Sequence, residues 1–261
     1  MSQVRKWTLI CLRSSVLLLL ILILSVWAVP LPERLSVSHS KMLLYQDGAP
    51  AHVFLAPDDR WRVQTHLDSV DEQYVNALLS IEDKRYSYHM GVDPISVIRA
   101  FGQNILAGEV ISGASTITMQ LVRLVEPRPR TVTSKIIESW RAFQLELRLS
   151  KNEILAAYLT FIPFGKNIEG IEAASMAYFG HRPDRLEADE IAILIAVPQN
   201  PNARYPSEEN KKRLRDSRDH IARLLNKAGT LPIVDKQSIE QSIYVRDLPT
   251  LRAFPRGVPH L

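Results

Sequence analysis

Residues 14–29, SSVLLLLILILSVWAV, form an apolar run without a single charge, and this run limits what the chain can be more than any other feature. A helix that is apolar on every side must sit deep in a large core or in a bilayer, and soluble domains seldom enclose one of this length. Trp7 and Trp27 lie near its ends, where indole rings favour a membrane interface. Arg5, Lys6 and Arg13 precede or open the run, and the first acid is Glu33. The positive-inside rule therefore keeps the N-terminus in the cytoplasm and exports the rest. A cleaved signal peptide is the alternative, since it shares the basic start and apolar core, but VWAVPLP is a poor small-x-small cleavage site. An uncleaved anchor over residues 1–30 is the expectation.

That topology reinterprets the charge. The chain carries 32 Lys and Arg against 28 Asp and Glu, a net +4 that invites a nucleic-acid partner. Three of the bases belong to the anchor, which leaves 29 against 28 in the exported part, so no nucleic acid is expected. Cys11 is the single cysteine, which excludes an internal disulfide or a multi-cysteine metal cluster. The His residues are scattered without H-E-x-x-H, so no protein metal site is expected, and no P-loop or G-x-G-x-x-G is present. Ser38-His39-Ser40-Lys41 matches S-x-x-K, yet no K-T-G or S-D-N follows.

Residues 31–69 hold strand-like pieces (MLLY, HVFL, WRVQ) separated by QDGAP and APDDR, as in a short β-hairpin-like stalk. Residues 70–229 are patterned as helices. Asp93-Pro94 opens one, with Ile95, Ile98 and Ile105 on a shared stripe. Ser150 and Glu153 form a capping box before ILAAYL. Ile136, Trp140, Phe143 and Leu147 have the spacing of a buried face, and Ser207 can cap a long helix with Ile221, Leu224 and Leu225 inward. Residues 230–261, rich in proline towards the end, are expected to be a tail or the start of a linker.

Three segments carry candidate chemistry. In residues 81–94, Glu82 and Asp83 end an amphipathic helix (Tyr74, Ala77, Leu78, Ile81), and a loop with His89 and Gly91 follows. Acids at a helix C-terminus oppose the macrodipole, a cost that hints at function, although a solvated helix end is the bland explanation. In residues 112–124, Gly113 leads into Ser115, Thr116 and Gln120 at a helix start. Free N–H groups with two hydroxyls suit an anion, or Ser115 is only a cap. Lys135 and Glu138 share a helix face, either as a surface ion pair or as a cation and carboxylate beside a phosphate.

In this order the segments resemble the peptidoglycan glycosyltransferases of family 51, the domain shared by class A penicillin-binding proteins and monofunctional transglycosylases. E-D-x-x-F-x-x-H-x-G is matched from Glu82-Asp83 through Tyr86 and His89 to Gly91, and G-x-S-T-I-T-Q-Q from Gly113 through Ser115, Thr116 and Met119 to Gln120. R-K-x-x-E is matched by Ser134-Lys135 and Glu138, and K-x-E-I-L-x-x-Y-L-N from Lys151 to Thr160. The departures are Tyr86, Met119, Ser134 and Thr160, with Arg123, Arg128, Arg130 and Arg141 as nearby cations able to compensate for Ser134.

The resemblance implies a mainly α, lysozyme-like two-lobed glycosyltransferase domain with a membrane-associated smaller lobe. It implies polymerisation of lipid II onto the growing glycan chain, with inversion and release of undecaprenyl pyrophosphate, at the inner membrane. Glu82 would be the base on the attacking hydroxyl, with Glu138 also catalytic, positioning a cation or a sugar. Asp83 would orient the His89 loop or bind a cation, Lys135, Ser115 and Thr116 at the Gly113 loop would hold the pyrophosphate, and Gln120 would bind a sugar hydroxyl. No cofactor is required, a divalent cation (Mg or Mn) suits the leaving group, and a transpeptidase or cell-wall synthesis protein fits as partner. The other readings are a lysozyme-like lytic transglycosylase and a non-catalytic membrane-tethered cell-wall scaffold.

Overall fold

The computed structural model describes residues 2–46, 50–109, 113–230 and 247–254, with some side chains of the first helix outside that description. Asp47, Gly48 and Ala49 of the hairpin turn, Ser112, and the end of the tail lie outside the described residues. α1 spans Ser2–Ala28. β1 (Met42–Leu44) and β2 (Pro50–Val53) form the expected antiparallel hairpin. β3 (Trp61–Arg62) is followed by α2 (Glu72–Glu82), α3 (Pro94–Ala107), α4 (Ile117–Val125), α5 (Val132–Arg148) and α6 (Lys151–Phe161). β4 (Ile168–Glu169), α7 (Ile171–Tyr178), α8 (Ala188–Gln199), α9 (Pro201–Arg204) and α10 (Lys211–Ala228) complete a mainly helical protein.

Helix starts follow side chains that accept from free backbone N–H groups. Asp93 accepts from Ile95 and Ser96 with Pro94 at the first turn, and Ser150 and Glu153 close their capping box, both as expected. Asn210, not Ser207, precedes α10; Ser207 accepts from Asn210 N one turn earlier. α8 is buried from Asp189 to Val197, the central position of a helix apolar all round. α10 lies along it through Leu214, Ile221 and Leu225, while Leu224 is 38% exposed and turns away. α4 sits between α5 and α6. Gly91 makes this possible: at φ +84° a side chain is strained, and a Cβ there would lie 2.6 Å from the Ala142 carbonyl carbon of α5.

Several elements differ from expectation in instructive ways. α5 buries Ser134, Glu138, Ala142, Gln144 and Leu145, whereas Ile136 is 65% exposed and Leu147 is 39% exposed. The period was legible but the face was inverted, because polar residues on the inner side have partners there. α3 buries only Ala100 and presents Ile95, Ile98, Phe101, Ile105 and Leu106 outward. Segment 31–69 does not stand apart as a stalk would. β3 pairs in parallel with β4, Val53 and Val63 enter the core, and fully buried Arg62 bonds Glu169 at 2.7 Å. The described part of the tail also docks, with Phe254 stacked on Trp61 at 4.1 Å.

The last carbonyls of a helix lack intrahelical partners. At the end of α1 they are met by α5: Gln144 donates to Val26 O (3.0 Å) and Val29 O (2.6 Å), and Arg148 donates to Val29 O (3.2 Å). Arg141 reaches Pro30 O at 2.9 Å. Such cations also complement the helix dipole. Trp7, Leu17, Leu20, Leu24 and Trp27 are exposed along α1. Among the described residues no helix is long and apolar enough to cross a membrane, and several side chains of α1 fall outside that description.

Because Gly91 combines a left-handed φ with a backbone contact on α5, Gly91→Ala should cost about 2–4 kcal/mol. Thermal melting of the purified variant measures this; an unchanged melting temperature would mean that the crossing is not tight.

Candidate active site

Glu82 and Asp83 end α2, where carboxylates oppose the helix dipole, and the structure shows what offsets that cost. The Asp83 carboxylate reaches across to the N-terminus of α4, accepting from Ile117 N at 2.9 Å, and also meets His89 Nε2 at 2.9 Å. An acid at the wrong end of one helix is thus at the favourable end of another. Asp83 and His89 are both buried. Thr116, not Ser115, caps α4: its hydroxyl accepts from Met119 N at 3.1 Å and donates to Gly91 O at 2.6 Å. Two N–H groups of the expected anion cradle are therefore already occupied, and Ser115 is freed for another task.

Glu82 is treated differently. Its Oε2 accepts from Gln120 Nε2 at 3.1 Å and its Oε1 from Gln199 Nε2 at 3.0 Å. Tyr158 donates its hydroxyl to Gln120 Oε1 at 3.1 Å, which fixes which end of that amide faces Glu82. Burial, reinforced by the nearby Glu82 charge, raises the pKa of Tyr158 well above the ordinary phenol, so Tyr158 remains a donor. Glu82 lines two cavities. One, of about 320 Å³, includes Gln120, Arg123, Arg130, Tyr158 and Gln199. The other, of about 180 Å³, includes Arg85, Asp93, Arg99, Gly113 and Ser115.

Arg123 shares the larger cavity with this carboxylate, and Lys135 joins Arg123 through common partners. Lys135 Nζ donates to Ser115 Oγ at 2.6 Å and lies 3.8 Å from Glu138. Arg123 clamps the Glu138 carboxylate through Nε (3.2 Å) and a terminal nitrogen (3.1 Å). Glu138 is buried, so the i,i+3 pair is no surface ornament. Burial lowers the Lys135 pKa, Arg123 pushes the same way, and Glu138 opposes both. The structure therefore brings Glu82 and Gln120 together, and joins Ser115 to Lys135 and Glu138. It turns Asp83 and His89 towards each other, Thr116 towards the backbone, and leaves open space at Gly113.

A family model described as transglycosylase matches residues 47–226. The chain belongs to the transglycosylase family. It is 38% identical to penicillin-binding protein 1C of Escherichia coli strain K12 over 235 residues, covering 90% of this chain and 29% of that protein. It is 32% identical to penicillin-binding protein 1A of Aquifex aeolicus over 71% of this chain and 26% of that one. A Cupriavidus necator protein named as a transglycosylase is 35% identical over 63% of this chain and 71% of its own length. The chain thus spans under a third of the two penicillin-binding proteins.

In this transglycosylase the three departures most expected to matter lie away from Glu82. Met119 is a buried core residue. Thr160 accepts from Thr65 N at 3.0 Å and donates to Ala156 O at 2.8 Å, tying segment 31–69 to α6. Ser134 is buried against Thr131 Oγ1 at 2.9 Å. Of the four arginines able to compensate, Arg123 and Arg130 line the larger cavity, while Arg128 and Arg141 pair with Glu126. Tyr158 matches the Tyr of the K-x-E-I-L-x-x-Y-L-N motif but carries no assigned role there, and Gln199 lies beyond the last motif read for chemistry. Among the described residues no three His, Cys, Asp or Glu side chains gather as a metal site requires. The nearest acids, Glu82 and Glu138, are already held by amides and by Arg123.

Replacing Glu138 by Gln should release Arg123. For the glycosyl transfer proposed below, the rate should fall about tenfold or more, and stability by about 1–2 kcal/mol, less than for a fully buried pair because Arg123 is 36% exposed. Steady-state rates and melting of the same preparation measure both, and unchanged rates would remove Glu138 from the site.

Proposed function

We propose that this transglycosylase is a peptidoglycan glycosyltransferase that polymerises lipid II into β-1,4 glycan strands. The observation that supports this most is a carboxylate, Glu82, shared by two cavities with cations beside it. A glycosyl transfer between two lipid-linked sugars needs a base between donor and acceptor, and charge stabilisation where the pyrophosphate leaves. An α-linked donor giving a β product is inverted, so no covalent intermediate is needed. Glu82 takes the proton of the attacking 4-hydroxyl as the new bond forms to the anomeric carbon, and the bond to undecaprenyl pyrophosphate breaks with its electron pair on the phosphate oxygen. Lys135, Arg123 and the Ser115 hydroxyl stabilise that charge, and Glu138 holds Arg123 in place. Asp83 and His89 position the end of α2 that carries Glu82. A divalent cation would add charge to the pyrophosphate, held by substrate oxygens in place of a protein cage.

The protein's orientation follows from its apolar surfaces. α1 anchors the chain in the inner membrane with its N-terminus in the cytoplasm, residues 70–229 form the exported two-lobed catalytic domain, and 230–261 lead out of it. The outward side chains of α3 and α5, Ile95, Ile98, Phe101, Leu106 and Ile136, enter the bilayer interface near α1 and bring the cleft to a lipid-linked substrate. The clamp between α1 and α5 supports this reading, because it joins the anchor to the helix that carries Lys135.

The test is incubation of purified protein with labelled lipid II. Wild type should yield glycan polymer, and Glu82→Gln should lose about 100- to 10,000-fold in rate. Polymer from both would remove Glu82 as the base; polymer from neither would favour a scaffold that binds without turnover; shortening of preformed glycan would favour a lytic enzyme.

A further inference from the structure

Resting on Glu82 as the base, we propose that Gln199 is a positioning residue for the reaction, an amide held by the end of α8 so that it fixes the Glu82 carboxylate without neutralising it. α8 is buried from Asp189 to Val197 and first surfaces at Pro198 and Gln199, beside the larger cavity. Asn200 N turns back to Val197 O at 3.0 Å in place of the Ala196 carbonyl four residues before it, so the helix ends here and the Ala196 carbonyl is open to a side chain. Arg204 NH1 takes that carbonyl at 2.9 Å and reaches Gln199 Oε1 at 3.0 Å. Arginine only donates, so the Gln199 oxygen must face Arg204 and its NH₂ must face Glu82, 3.0 Å away. The turn is rigid: α9 begins at Pro201, whose carbonyl lies 2.8 Å from where a Cβ on Gly165 would stand.

The same logic operates on the other carboxylate oxygen, where Tyr158 fixes Gln120. Two amides from two helices, each oriented by a group that donates, hold both oxygens of Glu82 and leave each a further lone pair for the incoming proton. On this reading Gln120 also acts through Glu82. The charged groups around Glu82 are Arg123 and Arg130 in one cavity, and Asp83, Lys84, Arg85, Asp93 and Arg99 in the other, with Arg204 behind Gln199. A change at Gln199 alters the partner of Arg204 alone among them, and Arg204 keeps its bond to the Ala196 carbonyl.

The experiment is a ¹³C-carboxyl NMR titration of Glu82 in the full-length protein in detergent, for wild type, Gln199→Ala and Gln199→Glu, alongside lipid II kinetics and melting. Gln199→Glu places a second carboxylate against the first and should raise the Glu82 midpoint by about one pH unit or more, moving the acid limb of the pH–rate profile with it. Gln199→Ala should lower kcat about three- to tenfold with KM within twofold, as loss of an exposed hydrogen bond to a charged group predicts. An unmoved Glu82 midpoint in a Gln199→Glu protein that melts like wild type overturns the proposal. So does a Gln199→Ala protein whose KM alone rises, which would make Gln199 a substrate contact. If wild type makes no polymer while the midpoint moves as expected, the activity reading fails and the positioning of Glu82 by Gln199 stands.

Discussion

The contact between Asp83 and the first turn of α4 is the constraint on which the rest of the site depends. It carries a negative charge from the unfavourable C-terminal end of α2 to the favourable N-terminal end of α4, and it buries that charge with His89 as second partner. Because Asp83 is fixed, its neighbour Glu82 is directed into the cleft and not into solvent. Because α4 is fixed, Gln120 and Arg123, three residues apart on one helical face, arrive at Glu82 and Glu138 respectively. The tight passage of Gly91 over Ala142 and the Thr116 bond to the Gly91 carbonyl secure the same junction from the other side. Two adjacent acids in sequence therefore have opposite fates, one structural and buried, one presented to the cavities.

How much of this was legible in the sequence depended on range. Local signals were read correctly: the Asp93-Pro94 start, the Ser150–Glu153 capping box and the end of α2 at the acid pair are decided within a turn or two of chain. The ordered motifs single out Glu82, Ser115, Lys135 and Glu138 as candidates, the first by the dipole cost of an acid pair at a helix end and the others as polar clusters. What escaped was set by distant partners. Whether Ser115 or Thr116 caps α4 depends on the Gly91 carbonyl, and whether the start of α4 is open to an anion depends on Asp83. Gln199 carries no local sign of its contact with Glu82, 117 residues away.

The inverted face of α5 makes the same point energetically. Periodicity reports that a stripe is apolar, and assigning it to the core assumes that water covers the opposite side. On α5 the opposite side faces Arg123 and the carbonyls at the end of α1, both of which need polar partners, so Glu138 and Gln144 are inside. Buried polar groups are tolerable only when bonded, and here they are. The apolar stripe is turned partly outward, with Ile136 and Leu147 exposed and Trp140 and Phe143 half-buried.

On the proposed function, the division of charge around Glu82 and Glu138 matches what a base and a leaving group each require. A guanidinium bound directly to the base would favour its ionised form so strongly that it would accept a proton poorly. Amides orient a carboxylate without adding a full positive charge, and Glu82 is held by two of them. The cations are instead retained by Glu138, which cancels part of their charge and leaves a net positive group with the Ser115 hydroxyl directed into it. Glu82 and Glu138 are both carboxylates, yet their partners differ in kind: two neutral amides at the proposed base, and cations at the carboxylate that holds Arg123.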